Sequence, residues 1–448
     1  MLEIRLPPAP PLVLPPVRRN ALGNGLPVLI VERPRLPIVD VRLVFRAGAS
    51  ADPPGLAGRA SLTAELIDTG TADRSETDIA RALDAIGARL ESNASWDYST
   101  LALQVLSVHL DAALDILADI VRHATFPADE FRRGRDERVA AILQDLDDPD
   151  TLAGSAIVRA IYGPQHSYGT PLAGTRRTVE GMERDALVEY RGRHYHPGTA
   201  FLVMAGDITE RAALSAVDRV FGGWQASPSP GRVTPAAVTP AAPAIHVVDR
   251  PGAPQSEMRI GTVGASRTSP DYFPLVVLNT VLGGSFTSRL NVRLREEGGY
   301  TYGAYSSFMF RASAGPFVAG AAVHTAVTAR AIGESLVAMG ELRERPVPDD
   351  ELERSRNYLT LGLPRSFETN GRIAARIAET EVYGLGEAYW PAWPDQVRAV
   401  DAEAVQRMAW QYLDPSRMTI AVVGDAMQVR APLQDLGAGA VLDTSPPE

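Results

Sequence analysis

The same strand ending occurs twice in this chain and indicates how the fold is built. The first copy is Phe201-Leu202-Val203-Met204-Ala205-Gly206-Asp207, and the second is Thr419-Ile420-Ala421-Val422-Val423-Gly424-Asp425. Each is a short aliphatic run that ends at Gly-Asp, which is typical of a buried strand followed by a tight turn. Because Gly424 lies 218 residues after Gly206, the two copies predict an internal repeat.

Two further markers recur at nearly the same spacing. Gly264-Ala265-Ser266 lies 216 residues after Gly48-Ala49-Ser50. Upstream of the Gly-Asp strands, Tyr195-His196-Pro197 is matched by Tyr412-Leu413-Asp414-Pro415. Three markers that repeat within two residues of one spacing predict a tandem duplication of one domain.

A proline-rich stretch separates the two copies. Residues 225–244 contain five prolines among alanine, serine and threonine, a composition that buries little and resists helix formation. We therefore predict four parts: a proline-rich segment 1–19, an N-terminal domain 20–224, a linker 225–244 and a C-terminal domain 245–448. Each domain then has about 200 residues, a normal domain size.

Strand and helix patterns alternate within each half. Aliphatic runs predict strands at Val28–Val31, Val41–Phe45 and Leu101–Leu106. Helices are predicted over 110–122 and 129–146 in the first half, and over 327–342 and 349–361 in the second. Each domain is therefore expected to be α+β, a sheet covered by helices.

Composition excludes several classes of function. The formal charge of −10 argues against a nucleic-acid partner, because such proteins carry basic surfaces. The absence of cysteine excludes disulfides, thiolate zinc sites and cysteine nucleophiles. No apolar run reaches the roughly 20 residues of a membrane span. Because residues 1–19 lack the pattern of a signal peptide, a cytoplasmic location is expected, or a periplasmic one if a leader has been trimmed.

Several motifs together resemble one peptidase family, the pitrilysin-type metallopeptidases or inverzincins. That family includes mitochondrial processing peptidase and insulin-degrading enzyme. The resemblance covers about residues 20–428 and implies two similar domains, each with a mostly antiparallel sheet covered by helices. Its carriers, besides the Gly-Asp strand ends, are Ala47-Gly48-Ala49, Gly55-Leu56-Ala57, Gly70-Thr71, Ser288-Arg289-Leu290 and the run Leu294 to Tyr302.

The zinc motif of that family is degenerate here. Active members bind zinc through H-x-x-E-H on a helix, where two histidines four residues apart share one face and the glutamate activates the metal-bound water. Counting back from Gly70-Thr71, the two histidine positions fall on Ser61 and Glu65 and the glutamate position falls on Ala64. No histidine precedes residue 109. No slip of this alignment restores the motif.

The family's third zinc ligand, a distant glutamate, falls near Gln144 or Asp145. The resemblance therefore implies that this chain binds no metal of its own. Without a metal, Glu65 is interpreted as a structural charge and not as a catalytic carboxylate. His194 and His196, the one close histidine pair, are interpreted as surface histidines and not as a displaced metal site.

The second half carries a more complete motif. Residues 285–297 are predicted to form a helix that ends at Gly298-Gly299, with a strand over 300–305. Arg295 lies in the last turn of that helix and Tyr302 in the strand, so a sharp turn would bring the two together. The resemblance implies that this pair donates hydrogen bonds to the carbonyl of a substrate peptide and to the charge that develops on it.

These observations predict the non-catalytic subunit of a heterodimeric zinc metalloendopeptidase. Such a chain has no active site of its own, contributes Arg295 and Tyr302, and acts on unfolded peptides with a homologous zinc-bearing partner. The alternative is a structural homologue like the core subunits of respiratory complex III, which would not need the pair. A third hypothesis, an independent enzyme with displaced ligands, conflicts with the positions of the histidines.

Overall fold

The computed structural model describes residues 13–53, 55–227, 233, 235–238 and 242–445. Its strands are β1 Arg18–Ala21, β2 Pro27–Glu32, β3 Ile38–Phe45, β4 Arg89–Ala94, β5 Ser99–Leu106, β6 Ala200–Gly206, β7 Ala244–Asp249, β8 Gln255–Val263, β9 Ala304–Phe308, β10 Pro316–His324, β11 Thr419–Gly424 and β12 Ala440–Asp443. Its helices are α1 Arg59–Glu65, α2 Glu76–Ala85, α3 Leu110–His123, α4 Ala128–Asp145, α5 Pro149–Tyr162, α6 Arg176–Glu180, α7 Arg184–His194, α8 Glu210–Phe221, α9 Tyr272–Asn279, α10 Arg289–Asn291, α11 Thr328–Glu344, α12 Asp349–Gly362, α13 Asn370–Tyr383, α14 Tyr389–Arg398, α15 Ala402–Tyr412 and α16 Ala426–Asp435.

The strands form two six-stranded sheets with the same core order. The first is β1-β2-β6-β3-β5-β4 and the second is β12-β7-β11-β8-β10-β9. In both, one inner pair is parallel, β2 with β6 and β7 with β11, and the strands that follow are antiparallel. The sheets differ at one edge, where β1 pairs antiparallel and β12 pairs parallel. The predicted α+β class and the duplication are confirmed.

The two Gly-Asp strands, β6 and β11, lie third in their sheets and every residue in them is buried. Strands covered on both faces have continuous aliphatic sequences, which explains the runs that mark the repeat. Gly206 has a φ of +146°, and a Cβ there would lie 2.1 Å from the carbonyl oxygen of Ile38. This close approach requires glycine at the end of β6.

Each sheet is covered on one face by a helix from the opposite half. Helix α13 of the second half packs on β3 and β6 of the first, where Ile373 and Ile377 join Phe201 and Val203 in one buried cluster. Helix α5 of the first half packs on β8 and β11 of the second in the same way. The other faces are covered by helices of their own half, chiefly α3 and α8 in one and α11 and α15 in the other. The two halves therefore complete each other's cores.

Asp97 makes one of several polar links between the halves. Its carboxylate accepts hydrogen bonds from the hydroxyls of Tyr168 at 3.1 Å and Tyr383 at 2.9 Å. It also accepts one from the backbone N–H of Ala312 at 2.8 Å. Beside it, the buried Arg311 guanidinium lies 3.6 Å from the ring centre of Trp96. Since Asp97 is 7% exposed, these donors satisfy a charge that would be costly to bury alone.

The segment before β9 differs from the prediction of one long helix and an early strand. Within the predicted range 285–297, the helix starts only at Arg289, with the short α10, and continues as a π-helical segment, Val292–Glu297. A separate π-helical segment, Thr280–Gly284, precedes it. Strand β9 starts at Ala304, so Tyr302 lies in the preceding loop. One physical reason is the side chain of Asn291, which accepts from the Ala304 N–H at 3.0 Å and donates to its carbonyl at 2.8 Å. These bonds fix where the edge strand begins.

The remaining predicted strands and helices correspond to β2, β3, β5, α3, α4, α11 and α12, and none extends more than one residue beyond the observed element. Most of the proline-rich segment 1–19, and part of the predicted linker, fall outside the described residues. In the part of the chain that the structure describes, no helix is both long and apolar enough to span a bilayer.

Candidate functional site

Helix α1, which carries the degenerate zinc motif, is short and tightly anchored. It starts after Gly58, whose φ is +95° and where a Cβ would lie 2.6 Å from the carbonyl oxygen of Ala173. The buried carboxylate of Asp52 accepts from the Ala60 N–H at 3.1 Å and forms an ion pair with Arg59 at 3.5 Å. Burial raises the pKa of Asp52 to about 7, although these two partners act in the opposite direction.

A guanidinium lies between Ser61 and Glu65, the two residues predicted to stand at the histidine positions of the zinc motif. The Nη1 of Arg138, on α4, donates to the Ser61 hydroxyl at 2.9 Å and to the Ala173 carbonyl at 3.3 Å. Its Nη2 donates to the carboxylate of Glu65. The side chain of Arg138 is only 14% exposed. Ser61 and Glu65 thus hold an arginine between them, which the sequence pattern did not reveal.

The third-ligand position adds a negative charge to this cluster. Burial lowers the pKa of Arg138, and the charge of Asp145 acts in the opposite direction. Asp145 lies seven residues after Arg138, two turns along the same face of α4. The side chain of Gln144 is exposed and makes no hydrogen bond to any described residue. Of the two positions considered, Asp145 is the one whose charge reaches the cluster.

These residues do not fit a zinc ion. Zinc takes imidazole, thiolate or carboxylate ligands in a tetrahedral set. Here the two motif positions offer a serine hydroxyl and one carboxylate that is already paired with a cation, and the third position offers at most the carboxylate of Asp145. The base position is Ala64, which is fully buried and has no polar group. Within the described ranges, no group of three or more histidine, aspartate or glutamate side chains could hold a metal ion.

The prediction that His194 and His196 are surface residues is wrong. They are 4% and 2% exposed, because α7 packs against α1 and His194 is its last residue. The ring of His194 lies 4.6 Å from that of Tyr190, and the Nδ1 of His196 accepts from the Gly198 N–H at 3.1 Å. Burial lowers the pKa of His194 to about 4, and the charge of Arg59 adds to that effect.

Arg295 and Tyr302 lie on neighbouring segments, and the structure does not join them directly. Arg295 belongs to the π-helical segment Val292–Glu297, and its guanidinium lies 4.4 Å from the ring centre of Phe286. Tyr302 is 94% exposed, in the loop that the Thr301 hydroxyl shapes by accepting from the Gly303 N–H at 3.1 Å. Among the described residues, no hydrogen bond links the guanidinium to the phenol. Both groups keep donors available to a ligand.

Asn291 positions this loop and was not singled out from the sequence. Its buried amide donates to the Ser285 carbonyl at 3.2 Å and also binds both backbone groups of Ala304, as described above. It thereby ties the π-helical segment to the loop that carries Tyr302. The signal was present, since Asn291 is a polar residue between the apolar Leu290 and Val292.

Comparison with known families agrees with this architecture. A model described as "Insulinase (Peptidase family M16)" matches residues 27–175, which include the Ser61–Glu65–Arg138 cluster. A model described as "Peptidase M16 inactive domain" matches residues 181–359, which include Arg295 and Tyr302. The chain belongs to peptidase family M16. The predicted family resemblance is therefore confirmed.

Relatives in family M16 align along nearly the whole chain. The "Uncharacterized zinc protease YmxG" of Bacillus subtilis is 26% identical over 398 residues, which are 88% of this chain and 95% of that protein. A crystal structure of a peptidase M16 inactive domain from Pseudomonas fluorescens superposes with a TM-score of 0.83 at 25% identity and covers 91% of this chain and 98% of its own. A protease from Helicobacter pylori has a TM-score of 0.84 at 18% identity, covering 92% and 100%.

Proposed function

We propose that this M16 chain is the non-catalytic subunit of a two-chain zinc metalloendopeptidase. It binds no zinc itself, and a homologous partner chain supplies the metal centre. One observation carries the proposal: the Arg138 guanidinium occupies the space between Ser61 and Glu65, where a zinc-binding chain would hold the ion. A cation fixed there repels a second cation, and the remaining donor set is too poor to compensate.

The contribution of this chain to catalysis is the pair Arg295 and Tyr302. A guanidinium presents a planar fork of donors to a peptide carbonyl, and a phenol presents one donor. The exposure of Tyr302 supports this role, because a donor without a protein partner is free to bind substrate. The substrate is an unfolded peptide, whose backbone carbonyls remain available to both donors. Preorganised donors of this kind stabilise the charge that develops in acyl chemistry by about 3 kcal/mol each.

The test is reconstitution from separately purified chains. This chain would be mixed with an M16 homologue from the same source that keeps an intact H-x-x-E-H motif. We expect this chain alone to carry less than stoichiometric zinc and to cleave no peptide, and the mixture to be active and to co-elute as one complex. One zinc per isolated chain with chelator-sensitive cleavage would contradict the proposal.

A second outcome separates a subunit that contributes donors to the active site of its partner from a scaffold. If the two chains form a complex whose activity does not depend on Arg295 or Tyr302, this chain has only a structural role. If the homologue is fully active alone and does not bind this chain, the two-chain hypothesis fails.

A further inference from the structure

A cavity of about 720 Å³ is lined by residues of the second half and by Tyr98 of the first, chiefly by arginine and tyrosine. It lies beside the first turns of α13, and none of Ser61, Glu65, Arg138, Arg295 and Tyr302 lines it. Its volume is in the usual range for small-ligand sites, roughly 300–1,000 Å³. Its charged lining residues are Arg267, Arg365, Arg372, Arg376 and Glu379.

The carboxylate of Glu379, the acidic residue that lines this arginine cavity, already accepts three hydrogen bonds. The Oε1 of Glu379 accepts from the Nε and Nη2 of Arg267 at 3.0 and 2.9 Å. Its Oε2 accepts from the Nη1 of Arg376 at 2.7 Å. One negative charge therefore serves two of the four guanidinium groups, and the lining keeps a surplus of positive charge.

Several other guanidinium donors of the lining are not engaged by Glu379. The Nη2 of Arg376 reaches the Ser366 hydroxyl only at 3.4 Å, and the Nη1 of Arg372 reaches the backbone carbonyl of Arg365 at 2.9 Å and Glu368 at 3.3 Å. The exposed guanidinium of Arg365 has no hydrogen-bond or ion-pair partner within the described part of the chain. The unused donors thus concentrate in one cavity.

Arg267 is buried and is held in place by aromatic side chains. It is 4% exposed, and its guanidinium lies 4.0 Å from the ring centre of Tyr272 and 4.8 Å from that of Tyr389. Its Nη1 is buried and has no hydrogen-bond partner among the described residues. A buried donor left unpaired costs free energy. The rigidly held Arg267 therefore places a charge with a spare donor at the wall of the cavity.

The positive charge of this cavity contrasts with the net negative charge of the chain. With a net charge of −10, the protein as a whole repels anions, so the surplus of arginine in this cavity does not follow from composition. Guanidinium forks match the geometry of phosphate and carboxylate oxygens. We propose that the arginine cavity binds a small polyanion that carries phosphate or carboxylate groups. This site is independent of the proposed peptidase role.

Calorimetry on the full chain at constant ionic strength tests this proposal, with pyrophosphate as the phosphate probe and citrate as the carboxylate probe. Arg365→Gln and Arg372→Gln remove exposed guanidinium groups, so both variants should keep the far-UV circular dichroism and melting temperature of the wild type. We expect each to weaken binding by about tenfold, the usual effect of losing a charge-assisted hydrogen bond. Arg398→Gln, an exposed arginine of α14 paired with Asp395, is the matched control and should change affinity by less than about twofold.

The two probes distinguish the possible ligand groups. Binding of one probe alone identifies the recognised group as phosphate or as carboxylate, and binding of both shows recognition of oxyanions in general. Absence of binding by either probe overturns the proposal. So does an equal loss of affinity in Arg398→Gln, because that result would show unspecific attraction to surface charge.

Discussion

The guanidinium of Arg138 donates a 2.9 Å hydrogen bond to the hydroxyl of Ser61, although the two residues are 77 positions apart in the chain. The same guanidinium binds Glu65, so a side chain of α4 connects the two positions that the sequence predicts to correspond to the histidines of the zinc motif. The cluster joins α1 to α4 through the guanidinium of Arg138, a cation that belongs to the chain itself. This structural role of the predicted motif positions leads to the first two predictions.

Replacing Arg138 should destabilise the chain. Arg138→Met keeps most of the apolar stem of the side chain but removes its donors to Ser61, Glu65 and Ala173. Because Glu65 is partly exposed and the ion pair is screened, we expect a loss of about 1–2 kcal/mol in the free energy of unfolding. Denaturant titration measures it. Arg132→Met, on the exposed face of the same helix, is the control and should cost less than about 0.5 kcal/mol.

Restoring the zinc motif should require removal of the arginine. The triple variant Ser61→His, Ala64→Glu, Glu65→His provides both imidazoles and the base, with Asp145 available as a carboxylate. With Arg138 retained, we expect zinc affinity at least about tenfold lower than in the same variant with Arg138→Gln, because the guanidinium repels the ion. Zinc titration by calorimetry compares the two. Equal affinities would show that Arg138 does not oppose the metal.

Removing the hydroxyl of Tyr302 should affect turnover but not folding. In the reconstituted enzyme, Tyr302→Phe should lower kcat by about 10²–10³ if the phenol binds the developing oxyanion. The melting temperature should not change, because the side chain is 94% exposed. Steady-state kinetics beside thermal melts measure both. Tyr358→Phe, at another exposed tyrosine of the same half, is the control and should retain wild-type kcat.

Arg295→Lys should also lower the activity of the mixed enzyme, because a point charge does not replace a planar fork. Wild-type kcat in both Arg295→Lys and Tyr302→Phe would assign the pair to packing and would favour the scaffold hypothesis.

The buried His194 should make stability fall in mild acid. Its pKa is about 4 in the folded chain and about 6.5 when unfolded, so the unfolded state binds more protons between these values. The contribution is fully present above pH 6.5 and is lost as the pH falls towards 4. At pH 5 the loss amounts to about 2 kcal/mol relative to pH 7.5.

Denaturant titrations at pH 7.5 and pH 5 measure this effect, and His194→Gln should remove that part of the pH dependence. His324→Gln, at an exposed histidine, controls for the number of histidines and should keep the wild-type slope. An unchanged slope in His194→Gln would show that other groups cause the acid sensitivity.

Because α5 and α13 each pack on the sheet of the opposite half, the two halves should unfold together. Each sheet loses the cover of one face when the opposite half unfolds, so a single calorimetric transition is expected. Ile377→Ala, which removes a buried contact between α13 and the first sheet, should cost about 2–4 kcal/mol and lower that one transition without splitting it. Two separate transitions in the wild type would contradict this expectation.

Much of the fold, and the absence of zinc ligands at the motif positions, could be predicted from local sequence. The strands β6 and β11 were predictable because continuous aliphatic runs that end at Gly-Asp are local signals of buried strands. The predicted loss of the metal site was equally local, since Ser61, Ala64 and Glu65 lie on one short helix. At 285–297 the prediction was partly right: the helix starts later, at Arg289, and ends at Glu297 as predicted. The following strand starts only at Ala304, whose backbone Asn291 binds across 13 residues.

The sequence by itself determined the duplicated α+β plan and the absence of zinc-binding histidines in the motif, because spacing and residue type are readable along the chain. Only the tertiary structure decided that Arg138 lies between Ser61 and Glu65, that His194 is buried, and that α5 and α13 exchange between the halves. These features depend on contacts between residues far apart in the chain. Such contacts form only when burial of apolar surface brings distant helices together. The periodicity of one segment does not predict them.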